Sequence, residues 1–228
     1  MIGLCFTIGV ATITAAPTVN AHSASRAKAR QKKITISRAS FLEAQQRLIE
    51  LGYWIPAPDG KWGEASRQGL IAFQKVEGRR RTGKLTMSEL KALRDAKKPS
   101  PREHGAAHIE VDLTRQVLFM VDGDGRISRV LPVSTGNGKL FDNEGDMEPA
   151  LTPAGRFRVY RKLPGWRTSP FGLLYYPNYL VGGIAIHGNP AVPAVPASHG
   201  CIRIPMFAAK EFSDITPIGT PVIVYESR

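Results

Sequence analysis

The hydrophobic pattern of this chain changes period once, across Lys97-Lys98-Pro99-Ser100-Pro101 and Gly105-Ala106-Ala107, and that change limits the folds open to it. Before this stretch Phe41, Ala44, Leu48 and Leu51, with Gln45, fall on one face at helical spacing. After it Ile109, Val111 and Leu113 alternate with polar residues at the period of a strand. Prolines among small and polar residues make residues 97–107 a linker, so a domain boundary belongs there. The reading is α+β overall: a small three-helix domain over residues 37–96, then a mostly antiparallel β sandwich or partly closed barrel over residues 108–228.

Within the first domain, Ser40-Phe41-Leu42-Glu43 and Thr86-Met87-Ser88-Glu89 have the form of capping boxes. A second helix is predicted from Gly63-Glu64, with Leu70, Phe73 and Val76 facing inward; Gly69 inside it costs about 1 kcal/mol relative to alanine. In the second domain Thr114-Arg115-Gln116 and Asp122-Gly123-Asp124-Gly125 read as turns. Phe157 to Tyr160, Ile184 to Ile186 and Val222 to Tyr225 read as strands, and only Phe207 to Phe212 as helix.

Residues 1–21 carry no charged side chain and run from Ile2 through Val10 and Ile13 to Val19-Asn20-Ala21. This is the pattern of a signal peptide cleaved after Ala21, or of an uncleaved membrane anchor. Either reading exports the rest of the chain, and a membrane contact follows only from the second. Residues 22–36 are small, basic and unpatterned, as in a tether. The leader carries Cys5, which leaves Cys201 alone in the mature chain, so no internal disulfide can form. The two domains are then expected to be held by their own cores. The net charge of +12 sits in the first half: residues 22–107 hold 19 Lys+Arg against 8 Asp+Glu, and residues 108–228 hold 12 against 11. Basic surfaces attract polyanions. For an exported chain that polyanion is the bacterial envelope rather than nucleic acid, and a merely solvated surface explains the charge equally well.

The chemistry concentrates in Ile186-His187-Gly188 and Ser198-His199-Gly200-Cys201-Ile202-Arg203. A thiol with a pKa of about 8.5 is mostly protonated at neutral pH, and an imidazole partner can generate the attacking thiolate. A glycine beside it lets backbone amides converge on a developing oxyanion. A zinc peptidase using His187, His199 and Cys201 is the rival reading, disfavoured because no His-Glu-x-x-His element is present. A catalytically silent wall-binding protein is another, disfavoured because both nucleophile and base are present.

Residues 108–228 resemble the L,D-transpeptidase catalytic domain of the YkuD type. The resemblance rests on Ser134-Thr135-Gly136, Thr152-Pro153-Ala154-Gly155-Arg156-Phe157, Gly183 to Gly188, Ser198 to Arg203 and Gly219-Thr220-Pro221-Val222. It implies that Cys201 attacks a peptidoglycan stem tetrapeptide, expels the terminal D-residue and forms a thioester. The amine of a diamino acid on a neighbouring stem then resolves this thioester into a 3→3 cross-link, with no cofactor or metal. It implies that His187 is the general base, oriented by the carbonyl of Gly188, and that the amides of His199, Gly200 and Cys201 form the oxyanion hole. His199 and Ser198 are matched to the pocket wall, and Arg203 to a substrate carboxylate or to pinning its loop. Resolution by water instead would make an L,D-carboxypeptidase. Departures from the family are a short segment 188–197 with three prolines, and Pro205.

Residues 37–96 resemble the peptidoglycan-binding type 1 domain, on Gln45, Leu48, Leu51-Gly52-Tyr53, Asp59-Gly60-Lys61-Trp62-Gly63, Ser66, Leu70 and Phe73-Gln74. That implies attachment to cell-wall glycan, in the periplasm or wall of a bacterium. Two stretches stay open between function and structure. Leu140 to Pro149, with Asp142, Glu144, Asp146 and Glu148, is either an amine-attracting loop or a solvated one. Pro164 to Tyr179, rich in aromatics, is either a wall over the cleft or ordinary core.

Overall fold

Ser37, rather than Ser40 of the first capping box, caps the opening helix α1 (Arg38–Glu50): its hydroxyl accepts the Ser40 N–H at 3.1 Å. In the second box the Glu89 carboxylate pairs with Arg79, while the Thr86 hydroxyl accepts the Glu89 N–H at 3.1 Å and caps α3 (Met87–Asp95). Between them α2 (Glu64–Val76) follows Gly63. The structure, a computed structural model, describes residues 1–3, 36–143 and 145–227. The signal peptide or anchor expected over residues 1–21, apart from its first three, lies outside the described residues. So do Glu144 and the tether, apart from Ile36. Every element named below belongs to the unit Ile34–Arg228.

The β-rich part is built from two open sheets. The first starts as a meander of β1 (His108–Asp112), β2 (Val117–Val121) and β3 (Ile127–Pro132). β12 (Pro221–Tyr225) joins β1 in parallel, and β6 (Gly155–Arg158) completes the order β3-β2-β1-β12-β6. The second contains β7 (Arg161–Lys162), β8 (Trp166–Ser169), β9 (Gly172–Val181), β10 (Ile184–Asn189) and β11 (Ile202–Pro205). Its order is β11-β10-β9-β7, with β8 also paired to β9. The acidic stretch is a hairpin of β4 (Leu140–Asn143) and β5 (Asp146–Pro149), not a loop. The lone expected helix is α4, longer than its apolar pattern suggests, at Met206–Ile215.

No barrel closes. The free edge of β3 is taken up by the helical part: Trp54 N–H donates to Val130 O at 2.9 Å, and Val130 N–H donates to Gly52 O at 2.8 Å. Pairing at Val130 blunts this edge against closure or against another chain.

The expectation of two separate cores is corrected by the packing. One core lies between the sheets and α4, with Val111, Leu118, Ile186, Ile202 and Phe212 fully buried. The other is shared: Leu48, Leu70, Phe73 and Leu90 from the helices pack against Phe119 and Val130 from the meander. Side chains alternate along a strand, so Leu118 serves one core while Val117 and Phe119 serve the other. With Cys201 the only cysteine among the described residues, and free, the two parts are joined by making both faces of one sheet apolar.

Lys75 crosses this interface. It is 1% exposed, and its ammonium donates to Gln116 O at 3.0 Å and Val133 O at 2.8 Å. Burial, reinforced by the charge of Arg81, lowers its pKa to about 7. Gly69 sits against Ile55, whose Cγ2 occupies the place a Cβ would take. Its helical cost therefore accompanies close packing that alanine cannot copy.

Two outcomes follow. Gly69→Ala should lower stability by about 1–3 kcal/mol, against the gain that helix propensity alone predicts, as read from urea midpoints. Because the folded-state pKa of Lys75 lies below its unfolded value, unfolding takes up a proton between about pH 7 and pH 10. Stability of the native chain relative to Lys75→Met should therefore rise with pH across that window, by up to about 1.4 kcal/mol per unit. A flat difference would contradict the lowered pKa of Lys75.

Candidate active site

β10 and β11 run parallel with Ile186 opposite Ile202 and His187 opposite Arg203. Alternation then sorts the side chains: Ile186, Ile202 and Ile204 turn to the core, each 0% exposed. His187, Arg203 and Cys201, two residues before Arg203, line a cavity of about 640 Å³ on the other face. Ser198 and His199 line the same cavity. Cys201 packs beside Ala185 in a small apolar cluster with Leu174 and Tyr179.

The imidazole of His187 is buried, and its Nδ1 lies 2.9 Å from Gly188 O. A carbonyl only accepts, so Nδ1 carries the proton and Nε2 presents the lone pair. Gly188 is required where it stands, because a Cβ there would lie 2.5 Å from Ala209 Cβ on α4 and 3.1 Å from Tyr175 Cδ1. Burial lowers the His187 pKa to about 4; the bond to Gly188 opposes this and the Arg203 charge adds to it. Burial likewise pushes the Cys201 thiol up, against an amide bond from Ala185 and the charge of Arg203. The Sγ lies 3.6 Å from Gly183 O. Burial thus favours the neutral form of both groups.

Two hydroxyls shape the turn before Cys201. Ser198 Oγ donates to Cys201 O at 2.6 Å and accepts the Gly200 N–H at 3.0 Å. Thr152 Oγ1 donates to Gly200 O at 2.6 Å and accepts the Gly136 N–H at 2.9 Å. Gly200 has φ +129°, and a Cβ there would lie 2.9 Å from Leu151 O, so only glycine fits. Of the three amides expected to face an oxyanion, that of Gly200 is taken by Ser198. Those of His199 and Cys201 have no acceptor among the described residues.

Arg203 pairs through its backbone with Ser134, while its side chain lines the cavity together with Arg161. The Arg161 guanidinium lies 4.2 Å over the Tyr179 ring. His199 is exposed at the rim, stacked on Phe171 and edge-on to Phe141, each with centroids 5.2 Å apart. Phe141 and Glu148 bring the acidic hairpin to the cavity wall, and Phe171 to Leu174 bring the β8–β9 hairpin. Among the described residues no cluster of three or more His, Cys, Asp or Glu is arranged to hold a metal ion. The sequence carried no sign of Arg161 or of the Phe141–His199–Phe171 stack. Thr152 was visible only as part of a motif, without its bridging role.

His187 on β10 and Cys201 just before β11 thus face one cavity of an open β-rich unit. The family model for the L,D-transpeptidase catalytic domain YkuD matches residues 106–224, so the chain belongs to the YkuD family. A peptidoglycan binding domain model matches residues 37–93. Among solved structures, an L,D-transpeptidase from Xylanimonas cellulosilytica is 39% identical with a TM-score of 0.77, covering 81% of this chain and 92% of that one. One from Stackebrandtia nassauensis is 22% identical with a TM-score of 0.48, covering 82% of this chain and 90% of that one. No curated protein matches the chain. The general function is thus that of a cell-wall transpeptidase acting on peptidoglycan in the bacterial envelope. Among the described residues no helix is long and apolar enough to cross a membrane.

Thr152→Val keeps the shape of the side chain but removes the bonds that link Gly200 O to the Gly136 N–H. It should lower stability by about 1–3 kcal/mol and cut turnover more than tenfold, measured by thermal unfolding and by product formation.

Proposed function

We propose that this chain forms 3→3 cross-links between peptidoglycan stems through a thioester on Cys201. The observation that supports this most is the shared cavity of His187 and Cys201, with Nδ1 tied to Gly188 and Nε2 left to accept a proton. As Sγ attacks the carbonyl before the terminal D-residue of a donor tetrapeptide, the thiol proton passes to His187 Nε2. The oxyanion accepts from the N–H groups of His199 and Cys201, an arrangement worth about 3–4 kcal/mol per donor. The carbon–nitrogen bond then breaks, His187 returns the proton to the leaving amine, and the D-amino acid departs. The side-chain amine of the acceptor's diamino acid attacks the thioester and gives its proton to His187. The thiolate is expelled and reprotonated from the imidazole.

This cycle draws on no cofactor. A neutral imidazole suits it, since a base already protonated could accept nothing. Arg203 and Arg161 put two guanidiniums on the cavity wall, where stem-peptide carboxylates can be held by paired N–H bonds. Ser198 holds the turn, and His199 walls the rim. The helical domain holds cell-wall glycan, and the leader exports the chain or anchors it.

Incubation with tetrapeptide-bearing muropeptides, followed by mass analysis, should give dimers lacking one terminal D-residue. Trimmed monomers alone would make the chain an L,D-carboxypeptidase, and Cys201→Ala should abolish either product. Turnover should hold down to about pH 5 and fall near tenfold per unit below about pH 4, where His187 becomes protonated. A midpoint near the ordinary imidazole value would overturn the reading of a buried, neutral base.

A further inference from the structure

Parallel neighbours in a sheet need a crossover of about a dozen residues, usually a helix that packs as a unit. Here the crossover from β10 to β11, residues 190–201, contains no helix and carries Pro190, Pro193 and Pro196. Its path is held instead by groups that capture its backbone. Ser134 Oγ donates to Val195 O at 2.8 Å, and the N–H groups of Ala197 and Ser198 both donate to Thr135 O at 2.9 Å. Two further carbonyls are captured from the helical part. Gln68 Nε2 on α2 lies 3.3 Å from Val192 O, and Arg81 Nη1 lies 3.1 Å from Ala194 O. Arg81 also reaches Thr114 O at 3.4 Å.

A second route runs behind these. Lys75 holds Gln116 O and Val133 O. The Gln116 amide donates to Thr135 Oγ1 at 2.6 Å and accepts the Thr135 N–H at 3.0 Å. Thr135 O accepts the amides of Ala197 and Ser198 in the crossover, the latter three residues before Cys201. Ser198, at the end of that route, grips Cys201 O and the Gly200 N–H.

We propose that Gln68 and Arg81, with Lys75 behind them, are positioning residues for Cys201: the helical domain holds the crossover that carries the nucleophile and so sets the amides around it. Wall attachment and catalysis are then not separable duties of two tethered parts. The helical domain completes the site without touching substrate at these three residues. This rests on the reading of Cys201 as the nucleophile.

Displacement of the crossover moves the amides of His199 and Cys201, which act only on the tetrahedral intermediate. The Cys201 side chain packs against Leu174 and Tyr179 on β9 and Ala185 on β10, outside the crossover, so the thiol should shift less than these amides. Loss should therefore appear in kcat and not in KM. Alkylation by iodoacetamide, which forms no oxyanion, should be spared.

The test uses the full chain carrying Arg81→Ala, Arg81→Lys, Gln68→Leu and the Arg81→Ala/Gln68→Leu pair. Turnover of a tetrapeptide muropeptide, iodoacetamide alkylation of Cys201 and the melting temperature are measured on each. The pair should lose about ten- to a hundredfold in kcat, with KM and the alkylation rate within about threefold of native. Arg81→Lys, which restores one donor, should recover most of the activity lost in Arg81→Ala. Unchanged kcat in Arg81→Ala, or kcat and alkylation falling by the same factor, would overturn the proposal. If the pair does not fold, the single Arg81→Ala variant decides, since it removes contacts to two carbonyls at a partly exposed position. A native chain that forms no acyl-enzyme with the tetrapeptide would instead sink the nucleophile reading, an outcome distinct from failure of the positioning role.

Discussion

The parallel pairing of β10 with β11 is the constraint from which the site follows. Its register sets His187 beside Arg203 and sends the flanking isoleucines into the core, so burial of Ile186, Ile202 and Ile204 fixes which face carries the chemistry. A slip of one residue would turn the imidazole into the core and the isoleucines into the cavity. The apolar cost of that exchange, about 1.5–3 kcal/mol for each isoleucine, keeps the register in place. Function here is positioned by hydrophobic burial on the opposite side of the same two strands.

That pairing leaves an unusual connection to be stabilised, and much of the remaining structure addresses it. The crossover has little structure of its own, and its polar backbone groups find partners in Ser134, Thr135, Gln68 and Arg81. Three prolines lower the entropy it would otherwise lose on ordering. The helical part, which the sequence presents as a separate wall-binding domain, contributes to this support and shares a core with the meander. The linker composition at residues 97–107 marks a change of secondary structure rather than an independence of packing.

Electrostatics in the cavity favour a pair of neutral groups. A buried thiolate and imidazolium would each lose hydration, and the nearby Arg203 would further oppose the imidazolium. Holding both neutral avoids that cost until a substrate carbonyl supplies an electrophile. The single hydrogen bond from His187 to Gly188 does the sorting of ring nitrogens, and it depends on a glycine that α4 could not otherwise pack against.

The sequence by itself determined the helical and strand periods, the cap at Thr86, and the family motifs around His187 and Cys201. These are local properties: a period or a turn glycine needs no knowledge of distant neighbours. Tertiary structure alone decided that Ser37 caps α1, that the acidic stretch is a hairpin and that the sheets stay open with the β3 edge covered by residues 52–54. It also decided that Gly200 spends its amide on Ser198, that Arg161 enters the cavity, and that Gln68 and Arg81 reach across to the crossover between β10 and β11, with Lys75 bonded behind them to Gln116 and Val133. The covered β3 edge, the cavity and the bonds of Gln68, Lys75 and Arg81 join residues far apart in the chain, whereas the Ser37 cap, the hairpin and the Gly200 bond are local choices among alternatives the sequence leaves open. The burial and hydrogen-bond satisfaction that select them exist only once both partners have been brought together.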